Sequence, residues 1–216
     1  MFLDLFFPNR CLNCNRIISA DELICEACFD HIPFAHHDFH ADNLLLQKCR
    51  MLFPTENAWA LMNFEEEGLS RKIIHELKYK HREIVGKHLA SWTTDRLNFG
   101  ETKPDLMVSV PLHPKKLKKR GYNQLHLFAE TLSNHYQISH NPSLIKRNSY
   151  KKAQALKDKA RRSETENLFS ITETISGKHI LLIDDVFTTG NTMSAFAWEI
   201  LKYGNNKVSV LVMAMD

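Results

Sequence analysis

The 216-residue chain has no hydrophobic run that approaches the roughly 18 residues needed to cross a membrane. Its apolar opening, MFLDLFFPNRC, carries Asp4 and lacks both a basic start and a small-residue cleavage site. We therefore interpret this opening as a packed terminal segment rather than a signal peptide. No G-x-x-x-x-G-K-[ST] loop is present, which excludes a Walker-type nucleotide site. These absences predict a cytoplasmic protein.

Over the whole chain neither sign of charge is in large excess: 28 basic side chains nearly balance 25 acidic ones, and the net charge is only +3. The distribution, however, is uneven. Residues 113–162 hold 13 basic and 2 acidic side chains, a net charge of +11, whereas the flanking segments are acidic. Such a basic segment favours an anionic ligand, either phosphates or nucleic acid, over a merely solvated surface.

Cysteine is rare, but four of the five cysteines form two C-x-x-C pairs, Cys11 with Cys14 and Cys25 with Cys28. Two such pairs can present four thiolates to one ion, so the spacing predicts a structural zinc site. A disulfide framework is disfavoured by the absence of secretion signals, and a redox motif needs only one pair. His31 could replace a thiolate but is more easily explained as a bystander, and Cys49 as a small buried hydrophobe.

Alternating strand and helix patterns occupy the remainder of the chain, with an irregular linker expected at 31–57. We predict strands at 58–64, 105–112, near Leu144, 180–183 and 207–213, and helices at 68–80, 84–97, after a cap at Asn123, and 192–203. The lysine-rich segment 113–123 and the polar stretch 147–167 are predicted to be loops. This alternation predicts an α/β fold whose parallel sheet binds ligands at the carboxyl ends of its strands.

A pair of carboxylates, Asp184 and Asp185, follows the apolar run at 180–183 and leads into a threonine-rich turn. The start of the next helix offers unpaired backbone N–H groups that suit a phosphate, and Gly190 permits the tight turn. The carboxylates can accept hydrogen bonds from sugar hydroxyls. A response-regulator phosphoacceptor would not be followed directly by a phosphate-binding turn. The segment therefore predicts a ribose 5-phosphate site.

The segment LLIDDVFTTGNT resembles the 5-phosphoribosyl 1-pyrophosphate (PRPP) loop of type I phosphoribosyltransferases. VPLHPKKLKKRGYNQ and the double C-x-x-C motif resemble the ComF/GntX branch of that superfamily, which is associated with competence and DNA uptake. The resemblance implies the phosphoribosyltransferase fold, a mostly parallel central sheet flanked by helices, with a small N-terminal Cys₄ zinc module. We expect the module and its linker at 1–50 and the phosphoribosyltransferase-like domain at 51–216.

The same resemblance implies roles for particular residues. It assigns the ribose hydroxyls to the catalytic pair Asp184 and Asp185, and it matches residues 113–124 to the region that meets pyrophosphate. There Lys118, Lys119 and Arg120 would neutralise the leaving group, while Mg²⁺ would bridge pyrophosphate and ribose oxygens. Residues 147–167 match the flexible loop that closes over the site. The 5-phosphate is assigned to the turn formed by Thr188, Thr189, Gly190, Asn191 and Thr192.

Two alternatives to a phosphoribosyltransferase remain open. In the first, the PRPP site acts as a sensor and the basic segment binds single-stranded DNA, alongside proteins of the competence machinery. In the second, the chain is a zinc-dependent adaptor, an interpretation that leaves the acidic pair without a role. The sequence does not indicate the acceptor of a phosphoribosyl group.

Overall fold

The computed structural model describes residues 8–78, 82, 84–148 and 168–216. Its helices are α1 (Glu26–Phe29), α2 (Leu44–Arg50), α3 (Leu69–Lys78), α4 (Ile84–Thr94), α5 (Pro114–Arg120), α6 (His126–Tyr136) and α7 (Asn191–Leu201). Its strands are β1 (Ala58–Asn63), β2 (Leu106–Ser109), β3 (Ser139–His140), β4 (Ile145–Arg147), β5 (Phe169–Ile171), β6 (His179–Phe187) and β7 (Lys207–Met215). Within these residues, no helix combines the length and the apolar character that a bilayer-spanning helix requires.

Five strands form a parallel sheet in the order β1-β7-β6-β2-β3. Four consecutive residues of β6, Ile180 to Ile183, are completely buried. Because successive side chains of a strand point to opposite faces, both faces of the sheet are covered, as expected of a parallel sheet. The predicted α/β fold with a mostly parallel central sheet is confirmed.

The connections of the sheet diverge between β2 and β6. From β2 the chain runs through α6 to β3 on one side, and from β6 it runs through α7 to β7 on the other. In parallel sheets such a switch point opens a crevice at the carboxyl ends of the two strands. The lysine-rich segment follows β2, and the acidic pair lies near the carboxyl end of β6 just before the threonine turn, so the topology brings these two motifs to one crevice.

A second, antiparallel sheet of two strands pairs β4 with β5 through Ile145↔Ile171 and Arg147↔Phe169. Phe169 packs against Phe196 of α7, with ring centroids 5.3 Å apart. Most of the predicted flexible loop at 147–167 lies outside the described residues, so that prediction stays a prediction.

Aromatic side chains attach the N-terminal module to the rest of the chain. Phe29 and Phe34 both pack against Trp92 of α4, with centroid distances of 5.3 and 6.1 Å. The guanidinium of Arg96 lies 3.8 Å from the centroid of the Phe34 ring. An isolated antiparallel bridge between Phe34 and Met62 adds a backbone connection to β1.

Two segments predicted to be irregular are helical. Within 31–57, α2 begins after Asn43, whose side chain accepts a hydrogen bond of 3.0 Å from the backbone N–H of Leu46. Within 113–123, α5 begins at Pro114 after His113, whose Nδ1 accepts from the N–H of Lys115 at 3.1 Å. In both segments the prediction missed the residue that caps the first turn. In α5, Pro114 at the first helical position also favours a helix start.

Two boundaries beside the carboxyl edge of the sheet also differ from the predictions. β6 continues to Phe187, so Asp184 and Asp185 are strand residues rather than the start of a loop. The helix expected to be capped by Asn123 begins at His126, with Leu125 as its N-cap. The Asn123 side chain instead accepts a hydrogen bond of 3.1 Å from the N–H of Leu125, in the turn before α6.

Candidate functional site

The two aspartates point to opposite sides of β6. Asp184 lines a small recess together with the turn Thr188–Thr192, and it is half-buried. Asp185 is buried and faces residues from α3 and from the turn before α6. The alternation of side chains along a strand explains this division. The pair therefore has one carboxylate open to the threonine turn and one held within the protein.

The turn after β6 depends on Gly190, which adopts the left-handed conformation with φ of 75° and is the N-cap of α7. A Cβ atom at this position would lie 2.3 Å from Cδ1 of Leu52 and 2.8 Å from Cζ of Phe187. The inner side of the turn is thus closely packed, whereas Thr188 and Thr189 are exposed. Asp184 and the first residues of α7, an eleven-residue helix, therefore line the same recess.

Asp185 is held by two partners on the same oxygen. Nε2 of Gln124 donates to its Oδ2 at 2.7 Å, and Nζ of Lys78 lies 3.2 Å from that oxygen. Arg120 donates in turn to Oε1 of Gln124. A chain of contacts therefore links the last residue of α5 to the acidic pair, and Lys78 joins it from α3.

The Asp184 carboxyl has a raised pKa. Burial is the largest cause, and the adjacent negative charge of Asp185 adds to it. The N–H of Asp185, which donates to Oδ1 of Asp184 at 2.8 Å, lowers the pKa, as do the positive charges of Lys78 and Arg147. The first two effects dominate, so Asp184 takes up a proton more readily than an exposed aspartate.

The basic residues predicted to contact pyrophosphate lie on α5, none of whose residues is buried. Arg120 is half-buried and is connected to Asp185 through Gln124. Lys118 and Lys119 are exposed on the same helix. The structure thus brings Arg120 next to the acidic pair and leaves the two lysines at the surface beside it.

Sequence reasoning assigned no individual role to Lys78, Gln124 or Arg147, although it placed Gln124 in the expected pyrophosphate region and Arg147 at the start of the expected flexible loop. Gln124 is the last residue of the segment VPLHPKKLKKRGYNQ, and this motif is the sequence feature that could have indicated its place in the site. Lys78 is the last residue of an amphipathic helix, and no pattern around it indicates a partner 107 positions away on β6. Arg147 ends β4, whose pairing with β5 places it near Asp184.

The four cysteines of the C-x-x-C pairs converge at the N-terminal module. Their Sγ atoms all lie within 4.8 Å of one another, and those of Cys14 and Cys25 are 3.6 Å apart. Tetrahedral zinc with Zn–S distances of about 2.3 Å places its sulfur ligands roughly 3.8 Å apart, so the cluster fits this ion. The N–H of Cys25 donates to Sγ of Cys11 at 3.4 Å, which suits a thiolate acceptor.

Two further residues that could act as zinc ligands, His31 and Cys49, do not belong to this cluster. His31 is exposed, and its Nδ1 lies at hydrogen-bond distance, 2.8 Å, from the carbonyl of Ala27. Cys49 is completely buried in α2, and burial raises the pKa of its thiol to about 12. The structure therefore supports a Cys₄ site, with His31 outside it and Cys49 as part of the hydrophobic core.

Comparison with known protein families gives two matches along the chain. A double zinc ribbon domain matches residues 2–39, and a phosphoribosyl transferase domain matches residues 127–215. The first match covers the cysteine cluster, which agrees with structural zinc, and the second covers β6, the turn and α7. The resemblance to phosphoribosyltransferases that carry an N-terminal zinc module is confirmed.

Several curated proteins are similar over most of the chain. The DNA utilization protein YhgH of Escherichia coli O157:H7 is 27% identical over 206 residues, covering 93% of this chain and 87% of that protein. Competence protein F of Haemophilus influenzae is 26% identical over 225 residues, covering 97% and 98%. Competence protein ComFC of Bacillus subtilis is 33% identical over 170 residues, covering 76% and 62%.

Among solved structures, a purine phosphoribosyltransferase from Pyrococcus horikoshii is 20% identical and covers 60% of this chain and 69% of that one, with a TM-score of 0.36. Because this structural similarity is low, the assignment of the fold depends on the matched domains and on the topology of the sheet.

Proposed function

Because the chain is a homologue of competence proteins F and ComFC that combines a double zinc ribbon with a phosphoribosyltransferase domain, we propose that it binds PRPP at the carboxyl end of β6. The 5-phosphate occupies the turn of Thr188, Thr189, Gly190, Asn191 and Thr192. The ribose hydroxyls are bound by Asp184, which faces the recess, while Asp185, on the opposite side of β6, supports this end of the strand through Gln124 and Lys78. The observation that carries this proposal is that Asp184 and the turn line one recess.

The placement of the phosphate follows from the chemistry of the turn. Gly190, as the N-cap of α7, has no side chain to cap the first N–H groups of the helix, and these groups and the helix dipole favour an anion. The hydroxyls of Thr188 and Thr189 add exposed donors. Asp184 cannot bind the phosphate, since like charges repel, but it can accept from the sugar hydroxyls at the other side of the recess.

For catalysis, we propose that a nucleophile forms a bond to the anomeric carbon of PRPP while the bond to pyrophosphate breaks. Arg120 neutralises the leaving group from its position beside Gln124, with Lys118 and Lys119 as further cations on α5. Mg²⁺, when bound, supplies additional charge neutralisation of the pyrophosphate oxygens. The Asp184 carboxylate, which faces the recess, is the protein group suited to hold it, and ligand oxygens and water would complete the shell of such an ion.

Calorimetry with Mg²⁺ and PRPP tests the binding site directly. We expect saturable binding by the wild type and a loss of about 100-fold in affinity when Asp184→Asn and Asp185→Asn are combined, because the charged acceptor in the recess and the buried charge that supports it are both removed. Asp95→Asn with Glu101→Gln removes two exposed acids and is the matched control for net charge. Wild-type affinity in the double variant at the site would refute the proposal.

Turnover is tested separately, by following pyrophosphate release from PRPP with a panel of bases, nucleotides and DNA ends. Release that requires one class of acceptor would identify the substrate. Binding of PRPP without release for any member would instead assign the protein to the sensor class.

A second function, binding of single-stranded DNA in the cytoplasm together with the competence machinery, is favoured by α5. This exposed helix carries Lys115, Lys116, Lys118, Lys119 and Arg120 in seven residues. Gel shifts with an oligonucleotide over a salt series test it. Lys118→Ala with Lys119→Ala should reduce the salt slope by about 1.4, and Lys87→Ala with Lys103→Ala is the control pair of exposed lysines. No retained DNA at low salt would eliminate this function.

A further inference from the structure

We propose that Lys78 is a positioning residue of the sugar-phosphate site, and that α3 fixes it there because the other end of the helix is attached to the zinc-binding cysteines through Lys72 and Asn13. This inference rests on the proposed function of the acidic pair. It adds a residue that sequence reasoning did not assign, and it gives the zinc module a role at a site on the central sheet.

At the site, Lys78 balances the charge of Asp185. Its Nζ lies 3.2 Å from Oδ2, and the side chains of the two residues are only 27% and 11% exposed. An ion pair at this depth is shielded from water, so loss of one partner leaves a poorly solvated charge on the other. Gln124 donates to the same oxygen but carries no charge, and it cannot replace the ammonium group.

At the zinc module, Asn13 lies inside the first C-x-x-C motif and contacts both the cysteines and α3. Its Nδ2 donates to Sγ of Cys28 at 3.4 Å, and its Oδ1 accepts from Nζ of Lys72 at 2.8 Å. The amide of Asn13 therefore donates to a cysteine through its nitrogen and accepts from α3 through its oxygen. Groups that hydrogen-bond to metal ligands orient those ligands, so the contact with Lys72 connects α3 to the geometry of the cysteines.

Between these two contacts, α3 acts as a rigid connection. Lys72 and Lys78 are six residues apart, about 9 Å along a helix axis. The intervening Ile73, Ile74 and Leu77 are buried in the core. The hydroxyl of Tyr122 donates to the carbonyl of Leu77 at 2.7 Å, which fixes the end of α3 to the segment before α6.

The position of Lys78 decides how the acidic pair shares its negative charge. Among the described residues, Asp185 is faced by Lys78 from α3 and by Gln124, which Arg120 contacts from α5. The adjacent Asp184 adds a negative charge on the other side of β6, and Arg147 on β4 acts on Asp184. Of the cations in this described part of the chain, Lys78 forms an ion pair with Asp185. Without this ammonium group the Asp185 carboxylate lacks its charged partner inside the protein, which displaces it and the adjacent Asp184 carboxylate that faces the recess.

Calorimetry with ribose 5-phosphate at pH 7 tests the role of Lys78. We expect Lys78→Met to weaken binding by about tenfold. Lys78→Arg, which keeps the charge, should restore most of the affinity. Lys87→Met removes an exposed lysine of α4 and is expected to behave as the wild type. Thermal unfolding of each variant identifies any variant that does not fold.

Transfer of zinc to a coloured chelator tests the other end of the helix without any sugar ligand. Because a net hydrogen bond contributes about 0.5–1.5 kcal/mol, Lys72→Met should release zinc roughly 2–10 times faster than the wild type. The same variant should weaken ribose 5-phosphate binding in the same direction as Lys78→Met, but less.

The possible failures can be told apart. Absence of ribose 5-phosphate and PRPP binding by the wild type would overturn the proposed function and this inference together. Binding by the wild type with an unchanged affinity in Lys78→Met would overturn this inference alone. Unchanged zinc release and unchanged affinity in Lys72→Met would refute the connection through α3.

Discussion

Gly190→Ala tests whether the threonine turn has the conformation that the phosphate site requires. Gly190 has φ of 75°, and an added Cβ would approach Cδ1 of Leu52 to 2.3 Å and Cζ of Phe187 to 2.8 Å. Left-handed backbone costs a residue with a Cβ about 1–2 kcal/mol. Overpacking adds about 1–3 kcal/mol, of which the flexible end of Leu52 can relieve a part. We therefore expect the free energy of unfolding to fall by about 2–5 kcal/mol.

Gly177 supplies a matched control, because it also has a positive φ, 65°, but no atom lies within 4 Å of its added Cβ. Gly177→Ala should therefore lose only the backbone contribution of about 1–2 kcal/mol. For a domain of this size, 1 kcal/mol corresponds to roughly 2–4 °C in Tm, so Gly190→Ala should melt roughly 2–12 °C below Gly177→Ala.

Differential scanning calorimetry measures both variants, and ribose 5-phosphate binding is then compared at a temperature where both are folded. We expect Gly190→Ala to lose affinity and Gly177→Ala to keep it, because only the first alters the turn that holds the phosphate. Equal melting temperatures would refute the packing argument. Unchanged ligand affinity in Gly190→Ala would show that the phosphate does not bind at this turn.

Three further predictions concern the metal, pH and the end of α3. Cys25→Ser should retain well under one zinc per chain by atomic absorption, whereas Cys49→Ser, which alters a buried core thiol, should retain one. The pKa of Asp184 is raised in the folded state, so the folded chain keeps a proton that the unfolded chain loses, and stability falls as pH rises from about 4 towards the raised value. In Asp184→Asn this fall should be shallower, so the Tm of the variant relative to the wild type should be higher at pH 7.5 than at pH 5. A fall in Tm as steep as that of the wild type would contradict the raised pKa of Asp184. Tyr122→Phe should lower the free energy of unfolding by about 0.5–1.5 kcal/mol in urea titrations, whereas Tyr203→Phe, at a partly exposed position, should have no effect.

The features that could be predicted from the sequence are those encoded by neighbouring residues. Two C-x-x-C pairs predict the zinc site, because ligand spacing within a turn is local. Apolar runs such as ILLI and VSVLV predict buried parallel strands. The motif of an acidic pair followed by Thr-Thr-Gly predicts a candidate site that lies, as expected, at a carboxyl edge of the sheet.

The helical state of α5 was missed for a reason that is also local. Five cations in seven residues indicate a solvated loop, but His113 caps the first turn and Pro114 occupies the first helical position. These two signals outweigh charge repulsion among side chains that extend into water. The helix matters for the proposed site, because its last residue, Arg120, contacts Gln124.

By itself, the sequence determined which chemical groups this protein has and in what order: four thiols, a basic segment, two carboxylates and a glycine turn. Only the tertiary structure decided how the two carboxylates differ. Strand pleating turns Asp184 towards the threonine recess and Asp185 towards Lys78, a residue 107 positions away. Such pairings depend on how helices pack across a sheet, and packing is set by the whole core rather than by the residues on either side of an aspartate.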